Sequence, residues 1–476
     1  MKSRLFQVAC MSLIIGLAAC SKAVDDVPTD NTDNGEPTLM ALKLSFPTSE
    51  QTRAGEETGL ADESAIRTID ILIYGQNRIL LDSKHFTSTD FTLQNGSYTA
   101  TQLIQTTTGL KYVFAAANLP DNLLQSIKAA RDVNTLTDDA YTIDRAAIAG
   151  ADDDAFIMCS SKLTGQTLKS YTPTPEQEGV ADPQLPRENR FDIQLIRMAA
   201  KVTVTEANNL SKVMHNGRLV GDLEFAIDHY NNKSYLIQRS APDFIDPNWD
   251  ETGWRTAPDG KTVTSIAESK YWDDLAKKTP GSDYLTVDAS GTDFNSLAKT
   301  YVSENSSEPG ILLKGTLTRL IVRATFLPGK VYETDAAATG FPVGYKEVDG
   351  PATATTFYKI TNSAGQAFFT LNKNDVAGLS KAVGATTGAA EEIEYTDGKC
   401  YYSLWLNSHA NAGAARYQTL RNQYYACTIT GVHAIGSPRE ELDDLETPMI
   451  EPATDISVEI AVKTWDVVTN SYVLGE

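Results

Sequence analysis

The chain has 476 residues, a length that predicts two or three domains, each able to bury a core. Lys and Arg number 41 against 62 Asp and Glu, and the formal charge of -21 repels a phosphate backbone at long range, so nucleic acid is not an expected partner. The 5 His and 5 Cys are scattered without metal-ligand spacing and the glycines form no phosphate loop, so the expectation is no catalytic residue, no metal site and no cofactor.

In chain order, Lys2 and Arg4 give a positive start, and residues 5–19 form an apolar stretch too short to cross a bilayer comfortably. It reads as a cleaved export signal. The stretch closes on Leu17-Ala18-Ala19-Cys20, which resembles a bacterial lipobox, and Cys20 is then the expected lipidation site. Under an ordinary secretory signal, Cys20 would instead be removed or left as a reactive thiol. Residues 21–37, rich in Asp, Asn, Thr and Pro and without an apolar period, read as a flexible tether.

The first strand-like segment follows at 39–46, where Met40, Leu42, Leu44 and Phe46 share one face and Lys43 and Ser45 the other. Next comes the polar loop Gln51-Thr52-Arg53-Ala54-Gly55-Glu56-Glu57, whose composition suits proteolysis. A cut between Arg53 and Ala54 would free the first strand from covalent connection with the body. Arg67 is a second possible cut, but it abuts the strand beginning at Ile69. A strand that leaves a sheet exposes unpaired backbone groups and an apolar groove, which invites strand addition by another chain.

From there short alternating or β-branched runs dominate, separated by Gly, Asn, Asp, Pro and Thr clusters, and they predict a mainly β chain of two β-sandwiches. Helical pattern is limited to pieces near 123–133, 265–278 and 376–383. The Pro-rich stretch 172–187 and the strand-like run 191–205 mark the passage from one domain to the other. At the far end, Ile456, Val458, Ile460 and Val462 share one face of a last strand, with Ser457, Glu459 and Lys463 opposite. The first and last strands are suited to similar sets of pockets, although each alone also reads as an ordinary half-buried terminal strand.

Three other constellations invite a role. Trp249, Trp254, Tyr271 and Trp272 lie near Asp243, Asp246 and Asp250 in sequence, which suits either a glycan platform or the packing of a long connection. Asp152, Asp153 and Asp154, like Glu440, Glu441, Asp443 and Asp444, lack the loop pattern of a dedicated calcium site and read as solvated charge. If 400–406 and 424–430 pair as a hairpin, Cys400 lies opposite Cys427 and a bridge becomes possible; buried free thiols are the alternative, and Cys159 is left over.

These features together resemble the fimbrillins of Bacteroidales, lipoprotein precursors of type V pili, and within them the minor-fimbrium (Mfa-type) shaft subunits. The resemblance rests on the motif ending at Cys20, on Thr52-Arg53-Ala54, and on Leu195-Ile196-Arg197-Met198-Ala199-Ala200-Lys201-Val202. It rests equally on Tyr401-Tyr402-Ser403-Leu404-Trp405-Leu406, on residues 421–429, and on the closing Val462-Lys463-Thr464-Trp465-Asp466-Val467-Val468. It implies two transthyretin-like sandwich domains, no enzymatic activity, and a lipidated precursor carried to the outer membrane. An Arg-specific protease would cut after Arg53, and the vacated groove would take the terminal strand of another copy or an accessory subunit, with Ile456, Val458, Ile460 and Val462 as its inserted face.

The implied organisation is a signal peptide over 1–19, a lipidated tether with the first strand over 20–53, sandwiches over 54–198 and 199–476, and a donor strand over 455–468. The assembled fimbrium would support adhesion through a host or bacterial receptor. The stretch after Cys20, Ser21-Lys22-Ala23-Val24-Asp25-Asp26, is less acidic than the surface-export signal common in such lipoproteins. A surface lipoprotein or accessory subunit that does not polymerise, and binds glycan or host protein through the tryptophan region, is the alternative.

Overall fold

The β-branched and aromatic runs form strands, and among the described residues α-helix is confined to short pieces such as α1 (Asp121–Ala130) and α2 (Val376–Val383). The mainly β class and its few helices agree with the sequence pattern. The computed structural model describes residues 34–46, 62–94, 97–138, 141–142, 155–173, 184–239, 245–247, 257, 260–273, 275–289, 296–306, 312–385, 393–406, 417–442, 444–449 and 456–464.

The N-terminal half contains β1 (Pro37–Ser45), β2 (Thr68–Tyr74), β3 (Leu80–Thr87), β4 (Phe91–Gln94), β5 (Ser97–Ala100), β6 (Ile104–Thr107), β7 (Gly109–Ala117), β8 (Met158–Ser160), β9 (Thr164–Leu168) and β10 (Arg190–Arg197). They pair in the order β3-β2-β7-β8-β10-β1-β5-β4, with β9 on β7 and β6 on β1. Phe86 of β3 and Phe91 of β4, from the two ends of this path, meet edge to face at 5.6 Å, so the path bends back on itself. Inside it Met40, Ile71, Phe114, Phe191 and the α1 residues Leu124 and Ile127 share one core.

The chain changes sheet across Met198, from β10 directly into β11 (Ala199–Glu206). The C-terminal half then has β12 (Gly217–Asp228), β13 (Lys299–Ser303), β14 (Arg319–Pro328), β15 (Lys399–Trp405), β16 (Gln423–Val432) and β17 (Ile456–Thr464) as its main strands. β11 is flanked by β13 and β16, and β17 pairs with β16; β12, β14 and β15 make a second sheet. Val202, Tyr425 and Ile429 from the first sheet and Phe225, Val322 and Leu404 from the second close one core, which makes this half a sandwich. Residues 330–385 and 393–395 add a two-stranded and a three-stranded sheet and α2, with a core of Ile360, Phe368, Leu379 and Val383.

The cysteine hairpin is a correction. Cys400 sits on β15 opposite Ala324, whereas Cys427 sits on β16 between Val204 and Ile460, so the two belong to different sheets. Cys159, Cys400 and Cys427 are free and buried, and burial pushes each thiol up to about 12. The hairpin expectation joined two strands that are neighbours in sequence, but each pairs better with a strand from far earlier in the chain.

Candidate functional site

The feature that stands apart is the seat of β1. At Leu44 the strand is paired on both edges, with Ile193 of β10 running parallel and Tyr98 of β5 running antiparallel. Upstream, Pro37 to Met40 pair with β6. β1 is therefore an interior strand although it is the first strand of the described residues. Its alternation follows the pleat: Met40, Leu42 and Leu44 are fully buried, and Phe46 is 6% exposed and meets Tyr98 edge to face at 5.9 Å. At about 1.5–3 kcal/mol per side chain, the four together contribute on the order of 6–12 kcal/mol as an upper bound.

One buried amide fixes the strand's entry. Asn189, with no exposed surface, donates from Nδ2 to the Leu39 carbonyl at 2.8 Å, to Thr38 Oγ1 at 3.2 Å and to the Lys169 carbonyl at 3.0 Å. Its Oδ1 accepts from the Lys169 N–H at 2.8 Å, and Thr38 Oγ1 donates to the Lys169 carbonyl at 2.7 Å. At the exposed rim, Asp192 accepts from Ser45 Oγ at 2.9 Å and lies 3.5 Å from Lys43 Nζ. The clamp therefore recognises backbone and a hydroxyl at one end, while the apolar pockets select alternate side chains along the rest. An open cleft of ≈ 800 Å³ lies beside the start of the strand, walled by Leu39, Leu103 and Tyr171 among others.

The loop that carries Arg53 and Ala54 lies outside the described residues, as does Cys20. The chain just past that loop is pinned independently of β1. The Glu63 carboxylate is buried 2.7 Å from Lys201 Nζ and accepts from Tyr301 OH at 2.7 Å, while Arg197 donates from Nε to the Glu63 carbonyl at 2.8 Å and from Nη2 to Ser64 Oγ at 3.0 Å. Burial lowers the Lys201 ammonium to about 8, with Glu63 opposing the shift. Arg67 is exposed, but its backbone N–H donates to Asn118 Oδ1 at 2.8 Å at the edge of β2, which makes it a poorer protease substrate than an unpinned loop. Sequence reading passed over Asn189 and Glu63. A signal for the junction was present, since Arg197 and Lys201 interrupt an otherwise apolar run.

The last strand has a different setting. β17 runs antiparallel to β16 at the end of its sheet, with Ile456 opposite Val432, Val458 opposite Ile429 and Ile460 opposite Cys427. Ile456 and Val458 are buried in the C-terminal core, Ile460 packs half-buried against it, and Glu459 and Ala461 are exposed. Val462 lies in the strand, with its side chain outside the described residues. The first and last strands are thus not brought together within one chain; each occupies its own half.

Of the remaining constellations, several described residues have local partners, while Asp152, Asp153, Asp154 and Asp443 lie outside the described residues. Trp272 is half-buried against Ile266, Leu313 and Leu445 and meets His229 edge to face at 4.9 Å, so this ring packs a connection. Buried Asp246 accepts from Ser306 N at 2.5 Å and from Ser306 Oγ at 3.1 Å. Trp249, Trp254, Asp243 and Asp250 fall outside the described residues, as does the side chain of Tyr271. Glu440 corrects the expectation of a solvated charge run: it is buried, pairs with Lys278 and accepts from Gly281 N at 2.8 Å, while Asp444 pairs with Lys314 at 2.7 Å. Among the described residues, no group of three or more His, Cys, Asp or Glu gathers to hold a metal ion.

Comparison with known proteins adds an independent finding. Residues 393–471, which span β15, β16 and β17, match the family described as major fimbrial subunit protein type IV, fimbrillin, C-terminal. No curated protein matches the sequence. Among solved structures, a candidate cell adhesion protein from Parabacteroides distasonis aligns at 14% identity and a TM-score of 0.47, over 90% of this chain and 100% of its own. The fimbrilin FimA from Porphyromonas gingivalis aligns at 13% identity and a TM-score of 0.46, over 90% of this chain and 98% of its own. The tip fimbrial protein Mfa3 of the same organism aligns at 11% identity and a TM-score of 0.38, over 90% of this chain and 100% of its own.

Proposed function

We propose that this chain, which carries the fimbrillin C-terminal region and belongs with that family, is a structural subunit of a cell-surface fimbrium assembled by strand exchange. The observation that carries the mechanism is the seat of β1, an interior strand followed in sequence by a polar loop with Arg53 at its centre. While the loop is intact, β1 is held by its own covalent connection, its pockets and the Asn189 clamp, and the seat is closed to other strands. Hydrolysis between Arg53 and Ala54 by an Arg-specific protease turns β1 into a separate peptide. The body retains the new terminus, because Glu63 and Ser64 stay tied to Lys201, Tyr301 and Arg197.

The vacated seat then takes β17 of another copy, or the corresponding strand of an accessory fimbrial subunit, with Ile456, Val458, Ile460 and Val462 replacing Met40, Leu42, Leu44 and Phe46. Lipidation at Cys20 holds the precursor at the outer membrane until the cut releases it, and the assembled fimbrium presents the surface through which a host or bacterial receptor is met. The chain works by binding alone and needs no cofactor.

The test is the uncut state. Precursor carrying Arg53→Ala, treated with an Arg-specific protease, is expected to remain monomeric on native electrophoresis, while the parent yields ladders and fibres visible by negative stain. Fibres formed equally well by the variant with β1 still attached contradict the mechanism.

A further inference from the structure

We infer that the exchanging strand enters the seat of β1 running opposite to β1, with Thr464 in the place of Thr38 and Ile456 in the place of Phe46. The inference rests on the strand-exchange reading above and adds its direction and register.

Read backwards, β17 is Thr464-Lys463-Val462-Ala461-Ile460-Glu459-Val458-Ser457-Ile456, and β1 read forwards is Thr38-Leu39-Met40-Ala41-Leu42-Lys43-Leu44-Ser45-Phe46. The reversed strand reproduces Thr, Ala and Ser at the same three positions and an apolar residue at every inward one. The same-direction alignment, 454–462 on 38–46, also keeps the inward set and a Thr at the start, but it exchanges Ala and Ser.

The structure decides between them at those two places. Ala41 is only 6% exposed although it lies on the outward face, so a Ser457 hydroxyl there would be largely withdrawn from water, whereas Ala461 matches it. Ser45 donates to Asp192 at 2.9 Å, a bond that Ser457 restores in the reversed strand and Ala461 loses in the other. Leu39 is half-buried, and the aliphatic stem of Lys463 covers that position where the short carboxylate of Asp455 would not. The largest seat, that of Phe46 against Tyr98, receives Ile456 rather than Val462.

Backbone pairing does not oppose the reversal. β1 is parallel to β10 over Ala41 to Ser45, antiparallel to β5 at Lys43 and Leu44 on its other edge, and antiparallel to β6 over Pro37 to Met40, and turning the strand end for end exchanges the two ladder types with similar overall strength. Thr464 arrives at Asn189, whose amide meets a backbone carbonyl and a hydroxyl as it does at Leu39 and Thr38. One residue further, Trp465 comes to the position of Pro37, on the wall of the ≈ 800 Å³ cleft. The match ends by Gly35, where a Cβ would stand 2.4 Å from the Thr108 carbonyl oxygen, so Val467 must leave the path of β1.

The test uses full-length precursor carrying Asp192→Cys together with either Ser457→Cys or Ala461→Cys, cut at Arg53 and allowed to assemble beside the parent under mild oxidation. Uncut Ser45→Cys/Asp192→Cys serves as the control that this spacing can be bridged. Fibres whose subunits are linked through position 457, giving a non-reducing ladder that the 461 pair lacks, are the expected result. A ladder from position 461 alone overturns the reversed direction. Fibres with neither ladder, while the control bridges, overturn the register. A parent that is cut yet forms no fibres overturns the strand-exchange reading itself and this inference with it.

Discussion

β1 lies inside a sheet, with β10 on one edge and β5 on the other, whereas β17 stands at the end of its sheet and among the described residues pairs with β16 alone. The inward side chains of β1 are essentially all buried and its start is clamped by Asn189. β17 buries Ile456 and Val458, leaves Ile460 half-covered, and crosses a break in register between Ile429 and Gly431. The same alternation therefore stands in two settings, and under the proposed exchange the interior strand would be held while the chain is intact whereas the last strand would detach by giving up one ladder. A subunit that must first hold a seat closed and later fill another needs both.

The comparison breaks first if the junction that pins the chain past the Arg53 loop is dispensable. Lys201→Met strands the buried Glu63 carboxylate and is expected to cost about 3–5 kcal/mol in denaturant unfolding, with much of the loss recovered by adding Glu63→Gln. Next comes packing. Leu42→Ala should lower stability by about 2–5 kcal/mol, against about 1–2 kcal/mol for Val458→Ala; equal losses would mean that the edge position of β17 does not matter.

Asn189→Ala leaves the Leu39 carbonyl and the Lys169 N–H without their partner and should cost about 1–3 kcal/mol. Hydrogen exchange sharpens the contrast without mutation, since β1 amides should exchange only through global opening in the precursor while β17 amides exchange by local release. The smallest effect belongs to Asp192→Asn. The Lys43 pair is exposed, 49%/59% by side chain, so precursor stability should fall by no more than about 1 kcal/mol. Under the proposed exchange assembly should quicken slightly, because Glu459 would take the place of Lys43 beside that residue.

The sequence made legible what depends on local periodicity. The buried face of 39–46, the inward Ile456 and Val458, the mainly β class and the short helices follow from alternation and breakers, which act within a few residues. Whether a strand ends up interior or at an edge depends on neighbours far along the chain, such as Phe191 beside Leu42 or Tyr425 beside Val462, and no local pattern encodes that. The hairpin expected between Cys400 and Cys427 failed for the same reason. Asn189 carries no local signature because its partners, Thr38 and Leu39, are about 150 residues away. Arg197 and Lys201 were visible as charges in an apolar run, but their partner Glu63 is fixed only by the way the two halves meet.

The central claim is that the seat of β1 opens on cleavage and accepts the last strand. Its most direct measurement is fluorescence anisotropy of a labelled peptide of residues 454–468, added in excess to dilute precursor before and after cutting at Arg53. The account predicts no binding to uncut protein, and after cutting one peptide bound per subunit with release of the fragment that contains β1. Equal binding before and after the cut, or no binding to cut protein that has lost that fragment, would contradict it.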